Sequence, residues 1–173
     1  MNKHLYQLAE KVGDLLQQQS KTLAVAESCT GGWIAKSLTD VPGSSHWFEC
    51  GFITYSNRAK ETLLGVAKTI IEQCGAVSEQ TVKAMAEGAL IYSNADIAVA
   101  VSGIAGPSGG RPEKPVGTVY LAWSKRNSLT HVTPYFFDGN RETIRYQAVA
   151  KALEGVLQHL STNPSDRQQE QCP

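Results

Sequence analysis

The run Asp96-Ile97-Ala98-Val99-Ala100-Val101-Ser102 constrains the fold more than any other stretch of the chain. It is nearly unbroken apolar sequence of strand length, and a strand with no polar face must be covered on both sides. That predicts a central strand between two layers of helices. The surrounding pattern agrees. Leu5, Leu8, Val12 and Leu15 recur at three- and four-residue steps, which predicts an amphipathic helix over 3–20. A short apolar strand at 22–27 and a helix at 30–39 follow, the helix stopped near Val41-Pro42-Gly43. Residues 48–55 are rich in aromatic and β-branched side chains and read as a second strand. Helices are expected over 58–65, capped by Ser56 or Asn57, over 68–74, and after Ser78 as an N-cap. Beyond residue 102 come strands at 117–123 and 129–137, joined by a short turn as an antiparallel pair, and a final helix over 141–160. Helices alternating with strands, with one late hairpin, predict a three-layer α/β/α sandwich with a mixed, mostly parallel sheet.

A length of 173 residues suggests one domain, here residues 1–161, with polar residues 162–173 as a disordered tail. Sixteen basic and sixteen acidic side chains cancel, so no global charge argues for a nucleic-acid or anionic-membrane partner. No apolar run approaches the ~18 residues of a membrane span, and the first residues lack the apolar core of a secretory signal. Cys29, Cys50, Cys74 and Cys172 form no C-x-x-C pair, which argues against a metal site or a disulfide framework. A reduced, cytoplasmic protein is expected.

In sheets of this kind ligands bind beyond the carboxyl ends of strands. Two loops qualify. In Ala26-Glu27-Ser28-Cys29-Thr30-Gly31-Gly32, a strand feeds a helix through small hydroxylated residues and glycines. Such a turn directs free amides at one spot and lets a ligand approach the main chain. It is neither a P-loop nor a Gly-x-Ser-x-Gly elbow, and Ser28 reads equally as helix cap or nucleophile. A nucleophilic serine needs a base. His4, His46, His131 and His159 are poorly placed for that, His46 being the only one near a loop. Lysine remains, provided desolvation or nearby positive charge lowers its pKa. Tyr55 closes a strand and Lys60 lies in the next helix, so both can converge on one pocket; Lys60 also reads as a solvated helix lysine. Glu27 suits the dipole of the helix that follows. The second loop, after Ser102, offers the amides of Gly103, Ile104, Ala105 and Gly106 for a substrate or an oxyanion, or reads equally as a flexible surface loop. Arg141 and Arg145, one turn apart at the start of the last helix, suit a phosphate or carboxylate, or are ordinary surface arginines.

These motifs in order resemble the CinA C-terminal domain family. They are Ala26 to Gly32, Pro42-Gly43-Ser44-Ser45, Thr54-Tyr55-Ser56-Asn57-x-x-Lys60, Gly75-Ala76-Val77-Ser78, Ser102 to Pro107, Lys114 to Val119, and Gly139-x-Arg141. The resemblance runs from about residue 4 to 160. It implies a nicotinamide-nucleotide amidase, which hydrolyses nicotinamide mononucleotide to nicotinate mononucleotide and ammonia in pyridine-nucleotide recycling. It also implies an α/β/α fold, no metal or organic cofactor, and a homodimer. Many relatives carry a further N-terminal domain; this sequence begins at the amidase-like part and resembles the stand-alone form. Chemistry and resemblance together assign Ser28 as nucleophile and Lys60 as base and then acid. Tyr55 is expected to orient Lys60 or relay its proton, and amides after Ser28 to hold the oxyanion. Thr30 is expected to bond substrate or cap the helix, with Gly31 and Gly32 beside it and Ser44 and Ser45 closing one side of the pocket. Ser102, Gly103, Ala105 and Gly106 are expected to bind substrate, with Arg141 and Arg145 anchoring the phosphate. Two rivals stay open: Cys29 as the nucleophile, or a catalytically silent nucleotide-binding or dimeric paralogue.

Overall fold

A computed structural model describes residues 2–161. The expected tail at 162–173 lies outside the described residues. In chain order the elements are α1 (Lys3–Gln18), β1 (Leu23–Glu27), α2 (Trp33–Thr39), a 3-10 turn (Ser44–His46) and β2 (Phe48–Ile53). Then come α3 (Asn57–Leu64), α4 (Lys68–Cys74), α5 (Glu79–Ile91), β3 (Ile97–Gly103), β4 (Thr118–Lys125), β5 (His131–Phe136) and α6 (Arg141–Ser161). The five strands form one sheet in the order β2-β1-β3-β4-β5. β1 pairs parallel with β2 and β3, while β4 is antiparallel to β3 and to β5. Four strands therefore run one way and β4 runs against them. The sheet is mixed, with its pairings evenly divided.

The α/β/α layering follows from side-chain alternation in the central strands. Leu23, Val25, Val99, Val101 and Leu121 point to one face, where they join buried residues of α1, α2 and α6 such as Leu8, Val12, Ile34, Ile144 and Leu153. Ala24, Ala26, Ala98, Ala100 and Ala122 point to the other face, beneath Leu64 of α3, Ile71 of α4 and Val82, Met85 and Ala89 of α5. The large side chains fill the wide gap under a helix pair. The alanine face brings α5 close.

Local signals set the element ends. Ser56 and Ser78 cap α3 and α5, accepting from the amides of Ala59 and Thr81. α2 starts at Trp33 rather than near residue 30, because Ser28–Gly32 are drawn into a separate turn with Gly31 and Gly32 at positive φ. β2 stops at Ile53 because Thr54, after donating to the Glu27 carbonyl (2.8 Å), leads into the Ser56 cap.

Candidate active site

At the carboxyl edge of the sheet three parallel strands end side by side. Thr54, leaving β2, donates its amide to Glu27 at the end of β1, and Ser28 donates its own to Val101 near the end of β3 (3.1 Å). Ser28 thus sits in the middle of that edge. Alternation along β1 turns Glu27 toward the α2 face and Ser28 toward the face covered by α3.

Glu27 is fully buried and shapes the turn. Its Oε2 accepts from the Thr30 hydroxyl (2.6 Å), the Gly32 amide (2.9 Å) and the Ile34 amide (3.1 Å), and its Oε1 from the Ala35 amide (2.8 Å). A carboxylate taking four donors at a helix start meets most of the orphan amides of α2. The hydroxyl proton of Thr30 is therefore committed to Glu27. The Gly31 amide donates to the Ser28 carbonyl (3.1 Å). The amides of Cys29 and Thr30, the two that follow Ser28, have no oxygen acceptor among the described residues.

Lys60 reaches Ser28 from α3. Its side chain is 1% exposed, and Nζ donates to Ser28 Oγ (3.0 Å) and to the Thr54 carbonyl (2.7 Å). Burial lowers its pKa from the ordinary lysine value of 10.5. No carboxylate pairs with it among the described residues. A desolvated amine without a counter-charge, in contact with a serine hydroxyl, is a base poised for that proton. Burial acts oppositely on the neighbouring thiol. Cys29 is 7% exposed, and its pKa is pushed up to about 12, chiefly by desolvation. Almost no thiolate exists there at neutral pH.

Other expected residues fall differently. Tyr55 is 63% exposed, and its hydroxyl accepts from Nη2 of Arg141 (3.1 Å) rather than touching Lys60. Orientation of the amine falls instead to the main-chain carbonyl of Thr54. A carbonyl leaves no mark in the sequence, so nothing there could have revealed it. Nη1 of Arg141 donates to the Gly106 carbonyl (2.7 Å), so Tyr55, Arg141 and Gly106 form one linked rim. Arg145 faces the turn itself: Nε donates to the Cys29 carbonyl (3.0 Å) and Nη2 to the Thr30 carbonyl (2.6 Å). Its guanidinium also lies 5.3 Å from the centre of the Trp33 ring. Two edges of that fork are committed to protein, which argues against the expected phosphate anchor there.

Ser102 is buried and donates to the Ala76 carbonyl (2.7 Å), tying β3 to the α4–α5 loop. Gly103 lies in the ladder opposite Val119, and a Cβ on it would meet Val119 Cγ2 at 2.6 Å. Its bareness serves strand packing. Ala105 is buried in the core on the α1/α2/α6 side of the sheet. Gly31 and Gly32 line a cleft of about 500 Å³ with Asn2, Trp33, Lys36 and Arg145.

Ser44 and Ser45 do not reach Ser28 within one chain. They precede Trp47, whose carbonyl accepts from Leu23 at the start of β1 (2.9 Å). The length of β1, roughly 16 Å at the rise of a strand, separates them from the site. Among the described residues no group of three or more His, Cys, Asp or Glu side chains is arranged to hold a metal. No helix among them is long and apolar enough to cross a membrane.

The family described as CinA C-terminal domain matches residues 5–160. The nicotinamide-nucleotide amidohydrolase PncC of Escherichia coli K12 is 50% identical over 159 residues, covering 92% of this chain and 96% of that protein. The protein of the same description from Pseudomonas putida is 52% identical over 151 residues, 87% and 94% of the two chains. A CinA-like protein of Akkermansia muciniphila is 54% identical over 149 residues, 86% of this chain but only 36% of that longer protein. Among solved structures, the competence/damage inducible protein CihA from Agrobacterium tumefaciens superposes with a TM-score of 0.90. It is 43% identical, with 94% of this chain and 98% of that one covered.

Proposed function

The chain belongs to the CinA C-terminal domain family, and on that premise we propose that it is a nicotinamide-nucleotide amidase working through an acyl-enzyme on Ser28. The observation that carries the reading is the buried Lys60 amine, 3.0 Å from Ser28 Oγ and without a carboxylate partner among the described residues. Uncharged Lys60 takes the hydroxyl proton while Ser28 Oγ bonds to the carboxamide carbon of nicotinamide mononucleotide. The carbonyl electron pair moves onto oxygen, where the amides of Cys29 and Thr30 receive it. When the pair returns, the C–N bond breaks and nitrogen leaves as ammonia with the proton held by Lys60. Water then attacks the acyl-serine, giving a proton to Lys60. That proton returns to Ser28 as nicotinate mononucleotide departs. Proton transfer of this kind contributes roughly 10²–10⁴-fold. The exposed guanidinium of Arg141 supplies the phosphate contact, and a cytoplasmic homodimer is part of the same reading.

Ammonia release from nicotinamide mononucleotide by the purified chain is the direct test. Ser28→Ala is expected to abolish it with the melting temperature unchanged, while Cys29→Ala retains most of it. Inactivation by a thiol reagent that Cys29→Ala resists would transfer the nucleophile to the thiol. A wild-type chain that releases no ammonia would favour a silent binding protein.

A further inference from the structure

We infer that Arg145 is a positioning residue for the oxyanion site, acting through the Cys29–Thr30 peptide rather than through the substrate phosphate. The inference rests on the acyl-enzyme reading of Ser28. In a trans peptide the C=O and N–H point in opposite directions from one rigid plane. Whatever holds the carbonyl therefore also aims the amide. Arg145 holds two successive carbonyls of the turn, Cys29 by Nε and Thr30 by Nη2, with one planar fork. With the Cys29 carbonyl fixed toward α6, the Thr30 N–H must point the other way. Fixing the Thr30 carbonyl does the same for the Gly31 N–H, which lands on the Ser28 carbonyl at 3.1 Å.

The Thr30 amide has no acceptor among the described residues, and its neighbours in the turn are committed elsewhere. Glu27 absorbs the Gly32, Ile34 and Ala35 amides, and the Thr30 hydroxyl is also spent on Glu27. The indole of Trp33, 5.3 Å from the guanidinium, helps to fix the plane of the fork. If the fork is removed, the Cys29–Thr30 peptide loses its tether on one side. Rotation would then turn a carbonyl oxygen toward the place where negative charge develops. The consequence belongs to the transition state: a donor is lost and a repulsive oxygen takes its place. Such a loss lowers kcat and leaves KM nearly alone. A phosphate anchor would behave oppositely, raising KM for the phosphorylated substrate only.

The test compares wild type, Arg145→Ala and Arg145→Lys on nicotinamide mononucleotide and on nicotinamide riboside, which lacks the phosphate. In Arg145→Ala, kcat is expected to fall about 10- to 1000-fold on both substrates, the upper end being the loss of a whole oxyanion donor. KM should stay within about threefold, and millimolar guanidinium should restore part of kcat. A lysine cannot span both carbonyls in one plane, so Arg145→Lys should remain impaired; it serves as the variant if Arg145→Ala fails to fold. Acylation of Ser28 by p-nitrophenyl acetate, which needs no nucleotide recognition, is followed in parallel. Slower acylation in the variants supports the inference even if the wild type ignores both nucleotide substrates, an outcome that would sink only the substrate reading. A loss confined to KM for the mononucleotide overturns the inference. So does an acylation rate equal in wild type and variants.

Discussion

At the scale of single residues, the site turns on what burial does to two neighbours. The same desolvation that raises the Cys29 thiol to about 12 lowers the Lys60 amine from 10.5, because one group is charged when deprotonated and the other when protonated. On the proposed mechanism, the same environment disfavours a Cys29 thiolate and equips Lys60 as the base for Ser28. For activity, kcat/KM is expected to rise with pH as Lys60 loses its proton, with a midpoint below 10.5. Lys60→Arg should be nearly as damaging as Lys60→Ala, since a guanidinium cannot give up its proton near neutrality. Wild-type turnover in the arginine variant would reduce Lys60 to a fixed charge. For stability the sign is also fixed. Between the lowered folded-state pKa and 10.5, the unfolded chain keeps a proton that the folded chain has released, so stability rises with pH across that window. Lys60→Met removes this dependence. Its melting temperature relative to wild type should be highest below the folded-state pKa and decline as pH approaches 10.5; a difference independent of pH would refute the assignment. Residue chemistry narrowed the base to lysine but left Lys60 readable as a solvated helix lysine; the family resemblance singled out the Ser28–Lys60 pair, and the structure brings the two into contact. The roles of Thr54 and Arg145 were not legible, since both depend on main-chain carbonyls, Arg145 on two that lie 116 and 115 residues away.

At the scale of elements, the placement of Lys60 is a packing result. α3 is short, its cap is Ser56, and its last turn lies against α5 at Gly88. A Cβ built on Gly88 would collide with the Leu64 carbonyl oxygen at the end of α3. Gly88→Ala should therefore push α3 away from the sheet and draw the Lys60 amine from Ser28. An alanine would gain up to about 1 kcal/mol of helix propensity, but overpacking against a backbone group costs about 1–3 kcal/mol. A lower melting temperature together with lower kcat is expected; a variant more stable and fully active would show that α3 has slack. The order and type of the elements followed from periodicity and capping residues, and the observed ends differ by a few residues. The unequal character of the two sheet faces lies in side-chain size rather than in polarity. Ile97 to Val101 reads as one apolar run, yet its odd positions are large and its even positions are alanine. The misplacement of Ser44 and Ser45 has a topological cause. After β1 the chain crosses back through α2 before β2 starts parallel to β1, so residues just before β2 must lie at the opposite edge from Ser28.

At the scale of the whole molecule, the rim of the site joins segments far apart in sequence. Arg141, opening α6, holds Gly106 from the loop after β3 and Tyr55 from the exit of β2. These contacts use one N–H on each terminal nitrogen, while the side chain stays at the surface. The remaining donors of an exposed fork, held in place on two sides, suit a phosphate oxygen. On the proposed mechanism the carboxamide of the substrate reaches Ser28, so its phosphate needs an anchor away from the turn. Arg141 meets that condition better than Arg145, whose fork is spent on the turn itself. Charge-assisted hydrogen bonds contribute about 1.5–3 kcal/mol, or roughly ten- to a hundredfold. Arg141→Ala is accordingly expected to raise KM for nicotinamide mononucleotide by about that factor while leaving turnover of nicotinamide riboside little changed. Tyr55→Phe removes only the hydroxyl that steadies the fork, and its effect should be smaller but of the same kind. The comparison is kcat/KM for both substrates in both variants. An equal loss on the two would mean that the rim supports the fold or the chemistry, and the phosphate contact would then have to be sought in the loop from Gly103 to Gly110.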